Sequence, residues 1–267
     1  MTRKGSFAPA IYVLFIVAPI YWLFVMSLKS TREIESSFIP YPQTPTLENF
    51  EYILSDPAWY LGYVNAVVYV LINVAISVTV AIPAAYAFSR YRFSGDRILF
   101  FGFLTFRMMA PAILLVPFVQ IFSELNLIDT HIAVAIAHCF FNVPIAVWIL
   151  EGFISSIPRE VDESARLDGY SLIGFFRRIL LPLIAPGIAV TAFFCFMFSW
   201  IEALLANGLT VVEAKPINGI MTRAGSVLAG EMPLLAAASV LGLIPGLALI
   251  VFMRNHLARG FSMGRVV

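Results

Sequence analysis

Long apolar runs dominate the pattern of hydrophobic and polar positions along this chain. Six stretches have about the length of a membrane-spanning helix, which needs roughly 20 mostly apolar residues. They cover, approximately, residues 7–28, 64–88, 98–122, 132–150, 179–201 and 232–253. Arg107 interrupts the third stretch near its middle. The pattern predicts an all-α, polytopic membrane protein in which residues 1–267 form a single domain with six transmembrane helices.

Prolines recur within or beside these stretches, and they predict kinked helices. Their positions are Pro83, Pro111, Pro117, Pro144, Pro182, Pro186 and Pro245.

The distribution of basic residues predicts the orientation of the six spans. An even number of spans places both termini on one side of the membrane, together with the second and fourth loops. That side holds most of the lysines and arginines, namely Arg3, Lys4, Arg90, Arg92, Arg97, Arg159, Arg166, Arg177, Arg178, Arg254, Arg259 and Arg265. The opposite side holds Lys29, Arg32, Lys215 and Arg223. Because basic loops remain on the inner side, both termini are predicted to be cytoplasmic.

The composition agrees with a lipid environment. Hydrophobic residues make up 60% of the chain and charged residues only 12%, whereas charged residues make up about 25% of an average soluble domain. The net charge of +1, without a basic tract, does not favour a nucleic acid partner. Cys139 and Cys195 lie in apolar runs without metal-ligand spacing, so we interpret them as small buried residues and predict no metal site.

One strongly polar segment, residues 155–178, separates the fourth and fifth apolar stretches. Acidic and basic side chains alternate in it, which is typical of a solvated helix. We expect Val161, Ala165 and Leu167 to share the apolar side of this helix. After it, Gly169 would permit a chain reversal and Ser171 would cap a second short helix.

The same segment carries a spaced motif. Glu163-Ser164-Ala165 is followed after three residues by Gly169, and after nine more by Ile179, one residue and Leu181-Pro182. This pattern resembles the EAA loop of ABC-importer permeases, with Ser164 in place of the first alanine. The surrounding IPREVDESARLDGYS is similar to the loop of carbohydrate-uptake permeases, specifically the shorter of two homologous permeases, as in maltose-type transporters.

The resemblance implies a type I ABC-importer permease fold and a transport subunit that is not an enzyme. The polar segment would contain a coupling helix that docks on an ATPase through Glu163, Ser164, Ala165, Arg166, Leu167, Asp168 and Gly169. The expected partners are a second homologous permease, two ATP-binding subunits, a periplasmic or lipid-anchored substrate-binding protein and membrane lipid. No cofactor is expected in this chain, since it lacks a glycine-rich phosphate loop and ATP and magnesium would bind the partner subunits. The tail, residues 254–267, would reach the ATPase dimer or remain a basic terminus.

Ionisable and polar residues within spans are candidates for the substrate pathway, because their exposure to lipid is unfavourable. These candidates are Arg107, His138, Asn142, Trp200 and Glu202. For Arg107, a pathway role and a structural ion pair are equally plausible. For His138 and Asn142, a hydrogen bond between helices is the favoured alternative.

Several functions remain open at this point. The family often has an asparagine after the tryptophan of the fifth span, whereas Ile201 and Glu202 follow Trp200 here, so the substrate could be a sugar, a polyol such as glycerol, a glycerol phosphate or another small solute. Short outer loops without a basic cluster favour a small neutral sugar or polyol. A stand-alone secondary transporter or channel is the alternative from another class, although neither internal repeats nor a filter loop is evident. An intramembrane enzyme would need a catalytic constellation, which the spans do not show.

Overall fold

The computed structural model describes residues 8–36, 39–227 and 231–263, and every regular element in these ranges is a helix. The prediction of an all-α protein is therefore confirmed. Arg3 and Lys4 lie outside the described residues, as does the end of the predicted C-terminal tail, residues 264–267.

Among the residues that the structure describes, three helices are long and apolar enough to cross a membrane without interruption. They are α4 (Pro57–Arg90), α7 (His131–Ser155) and α14 (Met232–Met263), and they correspond to the second, fourth and sixth predicted spans. Each remains one continuous helix although each contains a proline. The first predicted span corresponds to a shorter apolar helix, α1 (Ala8–Ser27).

The third and fifth predicted spans are broken helices, which corrects the expectation of a continuous third span around Arg107. The helix α5 (Asp96–Arg107) meets α6 (Pro111–Glu124) at an angle of 94°. Ala110 has the extended conformation that a residue before proline prefers, and this stops α5 from continuing into α6. Arg107 therefore lies at the end of a helix, beside a bend.

The fifth span bends by 78° between residues 172–183 and α11 (Ala185–Ile201). A short α9 (Leu172–Phe175) leads into a π-helical turn (Phe176–Leu180) and a further turn, α10 (Leu181–Leu183). Pro182 and Pro186 lie on either side of the break. Because each proline lacks a backbone N–H, the hydrogen-bond ladder of the helix is interrupted here.

Shorter helices connect these spans. They are α2 (Thr31–Ser36), α3 (Glu48–Ser55), α8 (Glu160–Leu167), α12 (Leu204–Leu209) and α13 (Ile217–Val227).

The chain forms two compact units. One contains the described residues up to Tyr63 together with Ile217–Leu247, and the other contains Val64–Pro216 together with the described residues from Ala248 onward. In the first unit, Lys29 and Glu33 are buried one helical turn apart, with 3.8 Å between Nζ and Oε1. The Lys29 ammonium also donates to the carbonyl of Ile39 at 2.6 Å, so polar bonds hold the segment after α1 in place.

In the second unit, an apolar core joins the C-terminal ends of α4 and α7 to the polar segment. Its buried residues include Tyr86 of α4, Leu150 and Ile154 of α7, Ala165 of α8 and Phe175 of α9. The segment that follows the fourth span is thus partly embedded in the core, which fixes the position of α8.

Candidate functional site: the α8 segment and a polar cluster between helices

The short helix α8 has one face directed into the protein and one directed away from it. Asp162 and Ala165 are buried, three residues apart on the same face. Most of the predicted coupling residues are exposed, namely Glu163, Ser164, Arg166, Leu167, Asp168 and Gly169. Acidic side chains in its first turn and Arg166 in its last turn complement the helix dipole.

The expectation that Leu167 shares a face with Ala165 is wrong. Ala165 is only 3% exposed, whereas Leu167 is 89% exposed. Two residues correspond to about 200° of helix rotation, so these positions lie on opposite faces. The inner face of α8 is instead formed by Ala165 and Asp162, and Leu167 presents an apolar side chain outward.

Asp162 attaches α8 to the end of α4. The hydroxyl of Tyr86 donates a hydrogen bond of 2.7 Å to Oδ1 of Asp162. Nη2 of Arg90 lies 3.0 Å from Oδ2, and both side chains of this ion pair are at most 10% exposed. Arg90 also donates to the carbonyl of Ile157 at 3.0 Å, just before α8. This role of Asp162 was not predicted from the sequence, although its spacing of three residues from Ala165 was a usable signal.

The end of α8 is a glycine C-cap. Gly169 has a φ of +78°, a region that glycine adopts without a steric penalty. Its N–H donates to the carbonyl of Arg166 at 3.1 Å, and the N–H of Tyr170 donates to the carbonyl of Ala165 at 3.0 Å. These two bonds form a Schellman motif, which ends the helix and reverses the chain.

The predicted cap of the second short helix is confirmed. Ser171 is extended and its hydroxyl accepts a hydrogen bond of 3.2 Å from the N–H of Gly174.

A buried polar cluster links α4, α7 and α11. His138 and Asn142 of α7 are both nearly inaccessible. The amide nitrogen of Asn142 donates to Oδ1 of Asn73 at 2.7 Å and to the carbonyl of Cys195 at 3.1 Å. Asn73 itself donates to the carbonyl of Ala135 at 3.0 Å. The hydrogen bonds between helices expected for Asn142 are therefore present.

His138 extends this cluster to the end of α11. Its Nδ1 lies 2.6 Å from the hydroxyl of Ser199, and its Nε2 lies 3.0 Å from Oε2 of Glu202. The same carboxylate accepts hydrogen bonds from backbone N–H groups at the start of α12, including 2.9 Å from Leu204 and 3.1 Å from Leu205. His138 therefore contacts Glu202 directly, whereas Asn142, one turn further along α7, bonds to Asn73 of α4 and to the backbone of α11.

Arg107 and Trp200 lie outside that cluster. The guanidinium of Arg107 is 4.4 Å from the ring centroid of Phe198 on α11, a cation–π contact. Within the described part of the chain, Arg107 has no carboxylate partner. The ring of Trp200 stacks on Phe196 at 5.9 Å with an angle of 10° between the planes.

Asp129 forms a carboxylate clamp that sequence reasoning did not find. It lies between α6 and α7 and accepts hydrogen bonds of 2.9–3.1 Å from four consecutive backbone N–H groups, residues 211–214. Partial burial acts to raise the pKa of the Asp129 carboxyl, but these four bonds outweigh it and hold the pKa at about 2. The available signal was an aspartate in a loop, since aspartate tolerates its φ of +62° and accepts backbone bonds.

Among the described residues, no group of three or more His, Cys, Asp or Glu side chains is arranged to hold a metal ion.

Comparison with known proteins gives a consistent result over most of the chain. The family model for "Binding-protein-dependent transport system inner membrane component" matches residues 77–263. The trehalose/maltose transport system permease protein MalG of Thermococcus litoralis is 31% identical, over 97% of this chain and 94% of that protein.

Two further relatives and one solved structure extend the comparison. The sulfoquinovosyl glycerol transport system permease protein SmoH of Agrobacterium fabrum is 29% identical, over 92% of this chain and 87% of that protein. The trehalose transport system permease protein SugB of Mycobacterium tuberculosis is 28% identical, over 93% and 91%. A bacterial ABC transporter that imports the acidic polysaccharide alginate contains a chain with the same fold, with a TM-score of 0.77, 22% identity and coverage of 93% of both chains.

Proposed function

The chain belongs to the family of binding-protein-dependent transport system inner membrane components, and on this premise we propose that it is the permease subunit of an ATP-driven carbohydrate importer. It is a multi-pass inner-membrane transport subunit and not an enzyme. The carbohydrate class is supported by three relatives: a trehalose/maltose permease, a trehalose permease and a diacetylchitobiose permease. In this proposal, residues 1–267 act as one permease domain.

One observation carries the coupling part of the proposal: one face of α8 is buried against the protein, and the rest of the helix is exposed and available to a partner. Glu163 and Arg166 are both exposed, and their charged ends can form charge-assisted hydrogen bonds with a partner subunit. Leu167, with 89% of its surface exposed, can provide an apolar contact. Ser164 has a small side chain, and Gly169, two residues after Leu167, turns the chain away from the end of α8. This surface suits a groove on an ATPase subunit, which would supply ATP and magnesium binding.

The anchored face explains how movement of an ATPase would reach the spans. Displacement of α8 by a closing ATPase pair would act directly on α4, through Tyr86 and Arg90, because both bind Asp162. Rigid-body rotation of packed elements is a common route for such transitions. The resulting tilt of α4 would alter access to the translocation pathway.

The proposed assembly contains a second homologous permease, two ATP-binding subunits and a periplasmic or lipid-anchored substrate-binding protein. A substrate-binding protein is part of the family description itself. Both termini and α8 would face the cytoplasm, as the positive-inside distribution indicates. The C-terminal tail, whose side chains from residue 255 onward lie outside the described residues, would extend toward the ATPase pair.

For the substrate pathway, the five candidate residues divide into two roles. His138 and Asn142 of α7 bond to Glu202, just after α11, and to the backbone of α11, so these residues would hold α7 and α11 at a defined spacing. Arg107 and Trp200 have polar or aromatic surface for contact with a sugar, beside the stacked rings of α11. An unpaired guanidinium also favours the second candidate substrate class, an anionic solute such as a glycerol phosphate.

The proposal is tested by purifying the chain from its native membrane and measuring the ATPase activity of what accompanies it. We expect two ATPase copies and a different permease to co-purify, with hydrolysis stimulated by the loaded binding protein. Glu163→Ala should abolish most of this stimulation, because it removes a charged contact of the docking face, while the chain still inserts into the membrane. The matched control is Glu160→Ala, an exposed acidic residue of the same helix outside the docking set, which should retain stimulation.

Two results would overturn the proposal. If the chain purified alone and transported or conducted solute unaided, it would not be an importer subunit. If Glu163→Ala and Glu160→Ala behaved alike, α8 would not couple through its outer face.

A further inference from the structure

A cavity of about 310 Å³ lies on the same side of the second unit as α8, where α4 ends and α5 begins. We call it the basic pocket and define it by six of its lining residues: Arg92, Arg97, Arg159, Asp96, Glu151 and Phe100. It shares no residue with the docking set on α8 or with the pathway candidates. Nothing in the proposed transport mechanism uses it.

The charges of the basic pocket favour an anion. Three arginines face two carboxylates, and both carboxylates are already engaged. Asp96 accepts the backbone N–H of Arg97 at 2.6 Å, and Glu151 accepts the hydroxyl of Ser155 at 2.5 Å. Within the described ranges, neither Arg92 nor Arg97 forms an ion pair. The three arginines of the pocket therefore exceed its two carboxylates by one positive charge, and the guanidinium groups of Arg92 and Arg97 have no ion-pair partner among the described residues.

The surroundings of the basic pocket are those of a membrane surface. Large apolar side chains beside it point away from the protein: Ile98 is 79% exposed, Phe101 62% and Leu99 52%. Tyr91, at 50% exposure, lies among the lining residues. The exposed apolar residues of α5 follow Arg92 and Arg97 in the chain, so the boundary between lipid headgroups and acyl chains would lie at the start of α5. Aromatic rings such as that of Tyr91 are enriched at this boundary.

We propose that the basic pocket binds the phosphate of an anionic phospholipid headgroup in the inner leaflet. Arg92 and Arg97 would pair with the phosphate oxygens, since guanidinium groups match phosphate geometry by bidentate hydrogen bonds. The acyl chains would lie along the exposed apolar side of α5. Basic pockets between transmembrane helices on the cytoplasmic side are known to bind such headgroups. The choice of leaflet rests on the orientation proposed above, whereas the binding chemistry does not.

The test uses the complete transporter assembly, purified in detergent and incubated with phosphatidylglycerol or phosphatidylcholine, with bound lipid measured by native mass spectrometry. The assembly should retain phosphatidylglycerol in preference to phosphatidylcholine. The double variant Arg92→Gln/Arg97→Gln should weaken this retention by about tenfold or more, since each basic residue near an anionic surface contributes appreciably. Arg177→Gln/Arg178→Gln removes the same charge from exposed positions outside the pocket and should retain wild-type binding.

Further arms separate the possible sources of phosphate and the effects of misfolding. Inorganic phosphate that displaced the lipid at low millimolar concentration would identify a free-phosphate site and overturn the lipid proposal. Arg92→Lys/Arg97→Lys should recover part of the retention, which a folding defect would not. Equal retention of phosphatidylglycerol by the wild type and the Gln double variant would also overturn the proposal, whether or not the ATPase still co-purifies with that variant. Because the readout is bound lipid, its failure leaves the transport function untouched.

Discussion

Asp162 illustrates how a single residue can differ in role from its neighbours in an otherwise solvated sequence. The charge alternation around it predicts a solvent-facing helix, and that prediction fits Glu163 and Arg166. Asp162 departs from it because its partner Tyr86 lies 76 residues earlier in the chain. A contact of that separation leaves no local signal, so the sequence could provide only the helical spacing with Ala165.

Replacement of Asp162 by asparagine should destabilise the protein. Asparagine can still accept the Tyr86 hydroxyl, but it leaves Arg90 buried without a counter-charge, and removal of one partner of a buried ion pair costs about 3 kcal/mol or more. We expect a lower apparent melting temperature of the purified assembly and weaker substrate-stimulated ATPase activity. The matched control is Glu160→Gln, which removes an exposed acid from the same helix and should change neither. Equal melting temperatures for the two variants would contradict the anchoring role.

Asp129 predicts a specific dependence of stability on pH. Its pKa is lowered from 3.8 to about 2 in the folded protein, so its contribution is fully present above the unfolded value and is lost as the pH falls through the folded value. Asp129→Asn should therefore unfold more easily than wild type from neutral pH down to about pH 4. The difference should shrink as the pH approaches 2, in thermal unfolding of the detergent-solubilised protein. A difference that stayed constant over that acidic range would show that the charge is not responsible.

At the scale of elements, continuous apolar runs were a sound guide to α4, α7 and α14. The same criterion failed at the bends, because residues 108–110 and Ile184 are themselves apolar. Arg107 interrupts the third stretch directly before the first bend, but a single charge does not predict a turn. Proline was the available signal, but it predicts a kink without fixing its size: α7 remains straight enough to be one helix around Pro144, whereas the chain turns by 94° before Pro111. Tertiary packing decides between these outcomes.

The C-cap of α8 can be tested with a pair of glycine substitutions of opposite expected sign. No atom lies within 4 Å of a Cβ added at Gly169 or Gly152, so crowding affects neither. At Gly169 the φ of +78° remains, and alanine in this left-handed region should cost about 1–2 kcal/mol. At Gly152, within α7, alanine should be neutral or stabilising by up to about 1 kcal/mol.

The measurement is the apparent melting temperature of both variants, with ATPase coupling as a second readout. Gly169→Ala should lower both quantities, whereas Gly152→Ala should lower neither. If the two substitutions shifted the melting temperature in the same direction, the positive φ at Gly169 would not explain why glycine is needed there.

On the scale of the whole molecule, the chain exposes more apolar surface than a soluble protein could tolerate. Leu14, Ile98 and Phe252 are each at least 70% exposed, and such surface requires lipid or another subunit. Composition predicted this environment and the motif predicted the family. The sequence could not assign the pathway residues to contact or support, because that distinction depends on which side chains meet across α7 and α11.

The two faces of α8 have a consequence for how transporters of this kind could be re-engineered. Recognition of a particular ATPase subunit would depend on Glu163, Arg166 and Leu167. Transmission of its movement to the spans would depend on Asp162 and its bonds to α4. Glu163 and Leu167 lie on the side of this two-turn helix that faces away from Asp162, so they can be exchanged without disturbing its bonds. Arg166 follows Asp162 by four residues and lines a pocket with it, so its replacement would be felt on both sides. Chimeras that accept a foreign ATPase would then require only the outward residues to be grafted, with the inward aspartate left in place.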